Sequence, residues 1–275
     1  MGIVGRLEDP GDDRLADYVN LRGPAWRRVW ERRRGIFVAE GEKVVARLLA
    51  TPGWRVRSVL VADDRWDRYR ALAAAAPDDV PIWRASQAVI DRLTGFNLHR
   101  GLLAAADRPA PVPWRQRVPP TGRLLVVEDV NDQENLGSLF RSAAALGVDA
   151  LLTSPGTCDP LYRRTVRVSM GATFRLPFAE LAPWPSGLTE LVALGWSVAA
   201  LTPGPTAEPL EGAAAEALRG RERVAVLVGA EGPGLSEGAL GAATERVRVP
   251  MAAGVDSLNV AVAAAIALHA LRPRP

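Results

Sequence analysis

The chain has 275 residues, 48% of them hydrophobic, enough to bury one large core or two modest ones and too many for a string of small modules. One cysteine, Cys158, excludes an intramolecular disulfide and a thiolate zinc cluster, and with only His99 and His269 as histidines no metal chemistry is expected. The net charge of +3 hides an asymmetry: through Arg117 there are 21 Lys and Arg against 15 Asp and Glu, and beyond it 13 against 16. Excess positive charge in the N-terminal part fits a polyanionic partner, because each phosphate contact adds affinity and releases counterions. Only Lys43 is lysine, so the arginine excess fits a genomic composition bias as well.

Met1 to Asp13 mixes charges with glycine and lacks the apolar run of a signal peptide, so a cytoplasmic location is expected. Ser58 to Val61 (SVLV) reads as a strand and Asp67 to Ala76 as a helix, giving a small α/β layer over residues 1–115. Pro109, Pro111, Pro113, Pro119, Pro120 and Gly122 cannot sustain helix or central strand, and the domain linker is placed at 116–122. In residues 123–275, Leu124 to Val127, Ala150 to Leu152, Val198 to Leu201 and Val224 to Val228 are continuous apolar runs. Strands covered on both faces of a parallel sheet look like this. Helices are predicted over Leu136 to Leu146, Gly187 to Leu194 and, after a strand at Val247 to Val249, Leu258 to Leu271. That last run falls short of the roughly 20 residues a membrane span needs and reads as a buried helix.

Three segments follow strands, where ligands of parallel sheets bind. In Glu128 to Gly147, Asn135 is placed to cap a helix, Gly137 follows, and Arg141 shares a face with Gly137 and Ser138. Spacing alone favours a surface arginine on a capped helix. In Val228 to Glu237, Gly229, Gly232 and Gly234 allow close ligand approach and Glu231 brings a carboxylate. No lysine or arginine stands in this loop and it is not G-x-G-x-x-G, so an adenosine ligand without phosphates fits better than ATP or NAD; an ordinary Gly-rich turn stays open. In Val247 to Ala265, Ser257 is placed to cap an apolar helix whose first turn holds Asn259. A buried amide must find partners, because leaving it unsatisfied costs ~1–3 kcal/mol. A local cap or a dimer contact would serve it, as would a ligand site.

Together N-L-G-x-x-x-R at Asn135 to Arg141, G-A-E-G-P-G-L at Gly229 to Leu235 and P-M-x-x-G-x-x-S-L-N-V at Pro250 to Val260 resemble the SpoU (TrmH-like) branch of the SPOUT RNA methyltransferases. DPLYRRTVRVSMGATF from Asp159 looks like a further family segment. The resemblance covers Arg123 to Leu271 and implies an α/β domain with a parallel sheet and a deep trefoil knot, an exception to the usual absence of threaded loops. It further implies a homodimer and S-adenosylmethionine held by Leu201, Thr202, Gly229, Glu231, Gly232, Val249, Met251 and Leu258. The catalytic residues it implies are Asn135, Arg141, Glu231, Ser257 and Asn259. The segment from Gly35 (GIFVAEGEKVVARLL) and that from Phe96 (FNLHRGLLAAADRP) resemble an L30e-like RNA-binding domain. Arg32, Arg33, Arg34 and Arg100 are its candidate RNA contacts, although a solvated helix face explains the arginine run too. Where the family often has Asp-Pro, this chain has Asp132-Gln133-Glu134.

The implied reaction is methylation of a ribose 2′-hydroxyl in ribosomal or transfer RNA. Methylation of a base on the same scaffold and a non-catalytic RNA-binding protein are the alternatives. A nicotinamide oxidoreductase is disfavoured by the missing G-x-G-x-x-G.

Overall fold

The computed structural model describes residues 3–204 and 206–272, the side chains of residues 24–28 excepted. The chain forms two compact units, Met1–Ala110 with Leu161–Phe174, and Pro111–Pro160 with Arg175–Pro275.

The first unit carries β1 (Val4–Arg6), α1 (Pro24–Arg34), β2 (Ile36–Glu40), α2 (Glu42–Ala50), β3 (Val56–Ala62), α3 (Trp66–Ala73), β4 (Ile82–Ala85), α4 (Gln87–Thr94) and β5 (Leu102–Asp107). Its sheet runs β1-β4-β3-β5-β2, with β5 antiparallel to both of its neighbours and the other pairs parallel. The register of β3 on β5 shifts between Val56 and Ser58. Tyr18, fully buried, serves this irregularity: its hydroxyl takes the Ala105 N–H (3.2 Å) and reaches the Ser58 carbonyl (2.9 Å).

The chain continues with β6 (Gly122–Val127), α5 (Gln133–Ala145), β7 (Ala150–Thr153), α6 (Arg163–Val168), β8 (Phe178–Glu180), α7 (Ser186–Ala193), β9 (Ser197–Leu201), β10 (Glu208–Pro209), α8 (Gly212–Arg219), β11 (Arg223–Val228), α9 (Glu237–Ala242), β12 (Glu245–Arg248) and α10 (Val260–Ala270). All strands of the second unit are parallel, in the order β10-β12-β9-β11-β6-β7-β8. The apolar runs form its centre: Leu124, Val126, Leu152, Val198 and Leu227 share one core with Leu188, Leu191 and Trp196. Burying each such leucine contributes ~1.5–3 kcal/mol. The short edge strands β8 and β10 were not expected, nor were α8 and α9.

Segment Leu161–Phe174, read from sequence as part of the second domain, belongs to the first unit. Arg163 pairs with Glu40 and lies 4.8 Å from the Phe96 ring centroid. Phe174 packs against Phe37 and Trp54 at 5.7 and 5.3 Å, and its carbonyl accepts the Trp54 indole N–H (3.0 Å). The segment expected as linker, 116–122, ends in the first residue of β6, and Trp114 just ahead of it is buried in the second unit's core.

Helix ends differ from expectation. Asp132, not Asn135, caps α5, accepting from the N–H groups of Glu134 and Asn135 at 2.8 Å each. The helix thus starts a turn earlier and Asn135 lies inside its first turn, leaving its amide free for other partners. At α10 the cap is Asn259 rather than Ser257; its Oδ1 accepts from Ala261 N (3.0 Å) and Val262 N (3.3 Å). Nor is α10 buried all round: Val262 and Ile266, one turn apart, are 48% and 40% exposed.

Where β6 begins, Arg123 is buried and spends its guanidinium on carbonyls. Nε donates to Leu271 (3.2 Å), Nη1 to Arg221 (2.9 Å) and Nη2 to Arg219 (3.0 Å), which fastens the ends of α8 and α10 to the sheet. Burial draws this guanidinium below its ordinary pKa, against the opposing pull of Asp149.

Candidate active site

The chain leaves β9, β11 and β12 at one end of the parallel sheet, and the three loops enclose a cavity of about 480 Å³. Leu201, Thr202 and Pro203 come from the first loop, Val228 to Gly232 and Gly234 from the second. Val249, Met251 and Ser257 to Val260 come from the third, with Ala263 of α10 closing the wall. Among the described residues of this lining, Glu231 is the only ionisable side chain.

The second loop is shaped by its glycines. A Cβ on Gly229 would stand 2.4 Å from the carbonyl carbon of Gly234, so only glycine allows the loop to close on itself. Gly234 N donates to Ala230 O (3.1 Å), and Gly232 and Gly234 take φ of 89° and 72°. The tip of this closed turn carries Glu231.

Glu231 meets the start of α10. Its Oε1 accepts from Asn259 Nδ2 at 2.7 Å and lies 3.4 Å from Val260 N, at the positive end of the helix dipole. Asn259 Nδ2 also donates to Asn135 Oδ1 at 2.8 Å. Because the Asn259 oxygen is committed to the helix N–H groups, its amide nitrogen must face Glu231 and Asn135. Three segments separated by as many as 124 residues are joined by one side chain.

Of the residues expected to be catalytic, Asn135, Glu231 and Asn259 are therefore directly linked, and Ser257 lines the same cavity. Arg141 does not line it. It is exposed on α5, six residues and roughly 9 Å of helix rise beyond Asn135. All eight residues expected around a cofactor, Leu201, Thr202, Gly229, Glu231, Gly232, Val249, Met251 and Leu258, line the cavity. Pro203, Ala230 and Val260 had not been singled out, although each is adjacent to a residue that had, and neither had Ala263, one helical turn beyond Asn259.

In the first unit, Arg32, Arg33 and Arg34 end α1 and are exposed. Arg34 is engaged, at 2.9 Å from Asp17 and over the Trp30 ring at 5.2 Å. Arg100 is exposed and its side chain crosses Gly41, where a Cβ would meet Arg100 Cδ at 2.9 Å. Several other arginines of this unit, among them Arg6, Arg14, Arg57 and Arg84, pair with carboxylates, so the charge excess counted in sequence overstates the free positive surface.

A parallel α/β sheet whose strand-end loops fold back on an adenosine-sized, largely uncharged cavity defines an enzyme that holds a nucleoside-like ligand past its strand ends. Residues 122–269 match the SpoU rRNA Methylase family, and the chain belongs to that family. It is 44% identical to an uncharacterised tRNA/rRNA methyltransferase of Mycobacterium tuberculosis over 95% of this chain and 89% of that protein. The 23S rRNA (guanosine(2553)-2′-O)-methyltransferase RlmP of Bacillus subtilis is 29% identical over 86% of this chain and 88% of its own. A crystal structure of an RNA 2′-O ribose methyltransferase superposes with a TM-score of 0.79 at 28% identity, covering 97% of this chain and 98% of that one.

Proposed function

We propose that this protein transfers a methyl group from S-adenosylmethionine to a ribose 2′-hydroxyl of ribosomal or transfer RNA. The observation that carries the reading is the cavity whose rim joins Glu231, Asn259 and Asn135. Its lining suits the cofactor: apolar walls from Leu201, Val249 and Leu258 for a purine, main-chain groups of three loops for its polar edge, and no cation to select phosphate. Bound there, S-adenosylmethionine supplies a methyl already activated by a positive sulfur, so the proposal uses no metal.

The protein's own residues position the hydroxyl and handle its proton. Arg141, exposed and without an ion pair among the described residues, is assigned to the 2′-hydroxyl and its adjacent phosphate, either taking the proton or assisting its transfer to phosphate. Asn135 and Glu231 orient the substrate; Asn259 and Ser257 hold the loops that carry them.

The same reading includes a homodimer, supported by the open apolar row Leu258, Val262 and Ile266 beside the cavity, which a second copy would cover. It includes the trefoil knot, RNA recognition by the first unit as an L30e-like domain through Arg32, Arg33, Arg34 and Arg100, and a cytoplasmic location. No helix of the described residues is long and apolar enough to cross a membrane.

The test is transfer of labelled methyl to unmodified ribosomal and transfer RNA, followed by alkaline hydrolysis. Alkali cleaves through the free 2′-oxygen, so label in alkali-resistant dinucleotides is expected. Label in mononucleotides would move the reaction to a base.

A further inference from the structure

One carboxylate of the second unit is buried, belongs to no part of the cavity lining and has no place in the chemistry above. Glu128 directly follows β6 and is 3% exposed. Its Oε1 accepts from the Ser236 hydroxyl (2.6 Å) and the Trp184 indole N–H (2.8 Å), and its Oε2 from Ser236 N (2.9 Å). A carboxylate so far from water is tolerated only with such donors.

Two of the three bonds go to Ser236, and Ser236 has two structural duties. It caps α9, accepting from Ala239 N at 3.2 Å, and it ends the loop that starts at Gly229. The near end of that loop is closed by the bond from Gly234 to Ala230. The far end is tied by Glu128 to the strand that also leads into α5 and Asn135. Glu231 sits inside the turn that the first bond closes, and the Ser236 fastening anchors that turn two residues past Gly234.

We infer that Glu128 is a positioning residue for methyl transfer: by clamping Ser236 it sets the 229–236 loop so that Glu231 meets the Asn259 amide. The inference rests on the proposed function. Glutamine in its place keeps the volume, but whichever way its amide turns, the NH2 faces either the Ser236 N–H or the Trp184 indole N–H, neither of which can accept, so the clamp is weakened without a cavity being made.

The experiment uses the full chain with Glu128→Gln, Glu128→Asp, Ser236→Ala, Glu231→Gln and the double variant Glu128→Gln with Glu231→Gln. Amide exchange of residues 229–236, affinity for S-adenosylhomocysteine, kcat and KM on RNA, and melting temperature are measured. Glu128→Gln and Ser236→Ala are expected to speed loop exchange about tenfold or more while the amides of β6 and β11 stay protected. The kcat should fall about tenfold with KM for RNA unchanged, with partial rescue by Glu128→Asp. The double variant should be no slower than Glu231→Gln alone, because both changes act through one carboxylate. Wild-type loop exchange in both clamp variants, or rate losses that multiply in the double variant, would overturn the inference. If the wild-type protein neither binds S-adenosylhomocysteine nor transfers methyl, the proposed function fails. Loop exchange then decides the clamp alone, and unchanged exchange sinks it.

Discussion

The two ends of the parallel sheet use the same kinds of polar side chain for opposite purposes. Where the strands start, Arg123 is buried and its donors are spent on the carbonyls of residues that end α8 and α10. Where they finish, Glu231 Oε2 and the Asn135 amide nitrogen keep hydrogen-bonding capacity at the edge of a cavity, and on the helix that follows β6 Arg141 is exposed with no ion pair among the described residues. A side chain whose partners are all internal adds to stability and has nothing left for a substrate. One held in place by few partners keeps its capacity for another molecule, and the chemistry gathers at that end.

The sharpest break of this contrast is Arg141→Ala. It should lower turnover by roughly 10²–10³ while leaving the melting temperature and the affinity for S-adenosylhomocysteine unchanged. Wild-type turnover in this variant would remove Arg141 from the mechanism. Arg123→Ala should do the reverse, costing about 3 kcal/mol in denaturant unfolding as several carbonyls lose their donor, with normal specific activity in the folded fraction. Gly229→Ala sharpens the comparison at the cavity. Its Cβ cannot fit against the Gly234 backbone, so the loop must shift, and calorimetry should record a loss of about tenfold in S-adenosylhomocysteine affinity. Charging the open face of α10 with Val262→Asp and Ile266→Asp should yield monomers in sedimentation at micromolar concentration, with folding retained. The smallest effect is expected in the first unit. Arg33→Ala or Arg100→Ala should weaken RNA binding only a few-fold and reduce the slope of log affinity against log salt by about 0.7–0.9 each.

Legibility in the sequence followed burial. The runs at Leu124 to Val127 and Val224 to Val228 are apolar on both faces because they lie inside the sheet, and they were readable as strands. β8 and β10, three and two residues at the sheet's edges, carry too little pattern to be seen. Two of the loops lining the cavity drew attention through Gly229, Glu231 and Asn259 standing just after strands, whereas Leu201 and Thr202 of the first loop came only from the family resemblance. The caps were misread because Asp132 and Ser257 offer the same chemistry as Asn135 and Asn259 within one turn, and sequence alone does not choose between them. Glu128 escaped notice although it opens the first motif. Its partners lie 56 and 108 residues away, and only the folded sheet brings Trp184 and Ser236 to it. The engagement of Arg34 with Asp17 and of Arg163 with Glu40 was hidden for the same reason, since charge counts carry no distances.

The excursion of Leu161–Phe174 into the first unit bears on how this architecture can be inherited. Phe174 is packed against Phe37 and Trp54, and Arg163 is paired with Glu40, so the first unit is completed by residues encoded within the stretch that otherwise builds the second. A single recombination event at the proline-rich junction near Ala110 would bring a foreign N-terminal half against a segment fitted to the old one. Exchange of the first unit between such genes must then carry two separated stretches together, or be followed by repair at Arg163 and Phe174. The first unit is, in this chain, inherited in two stretches rather than one.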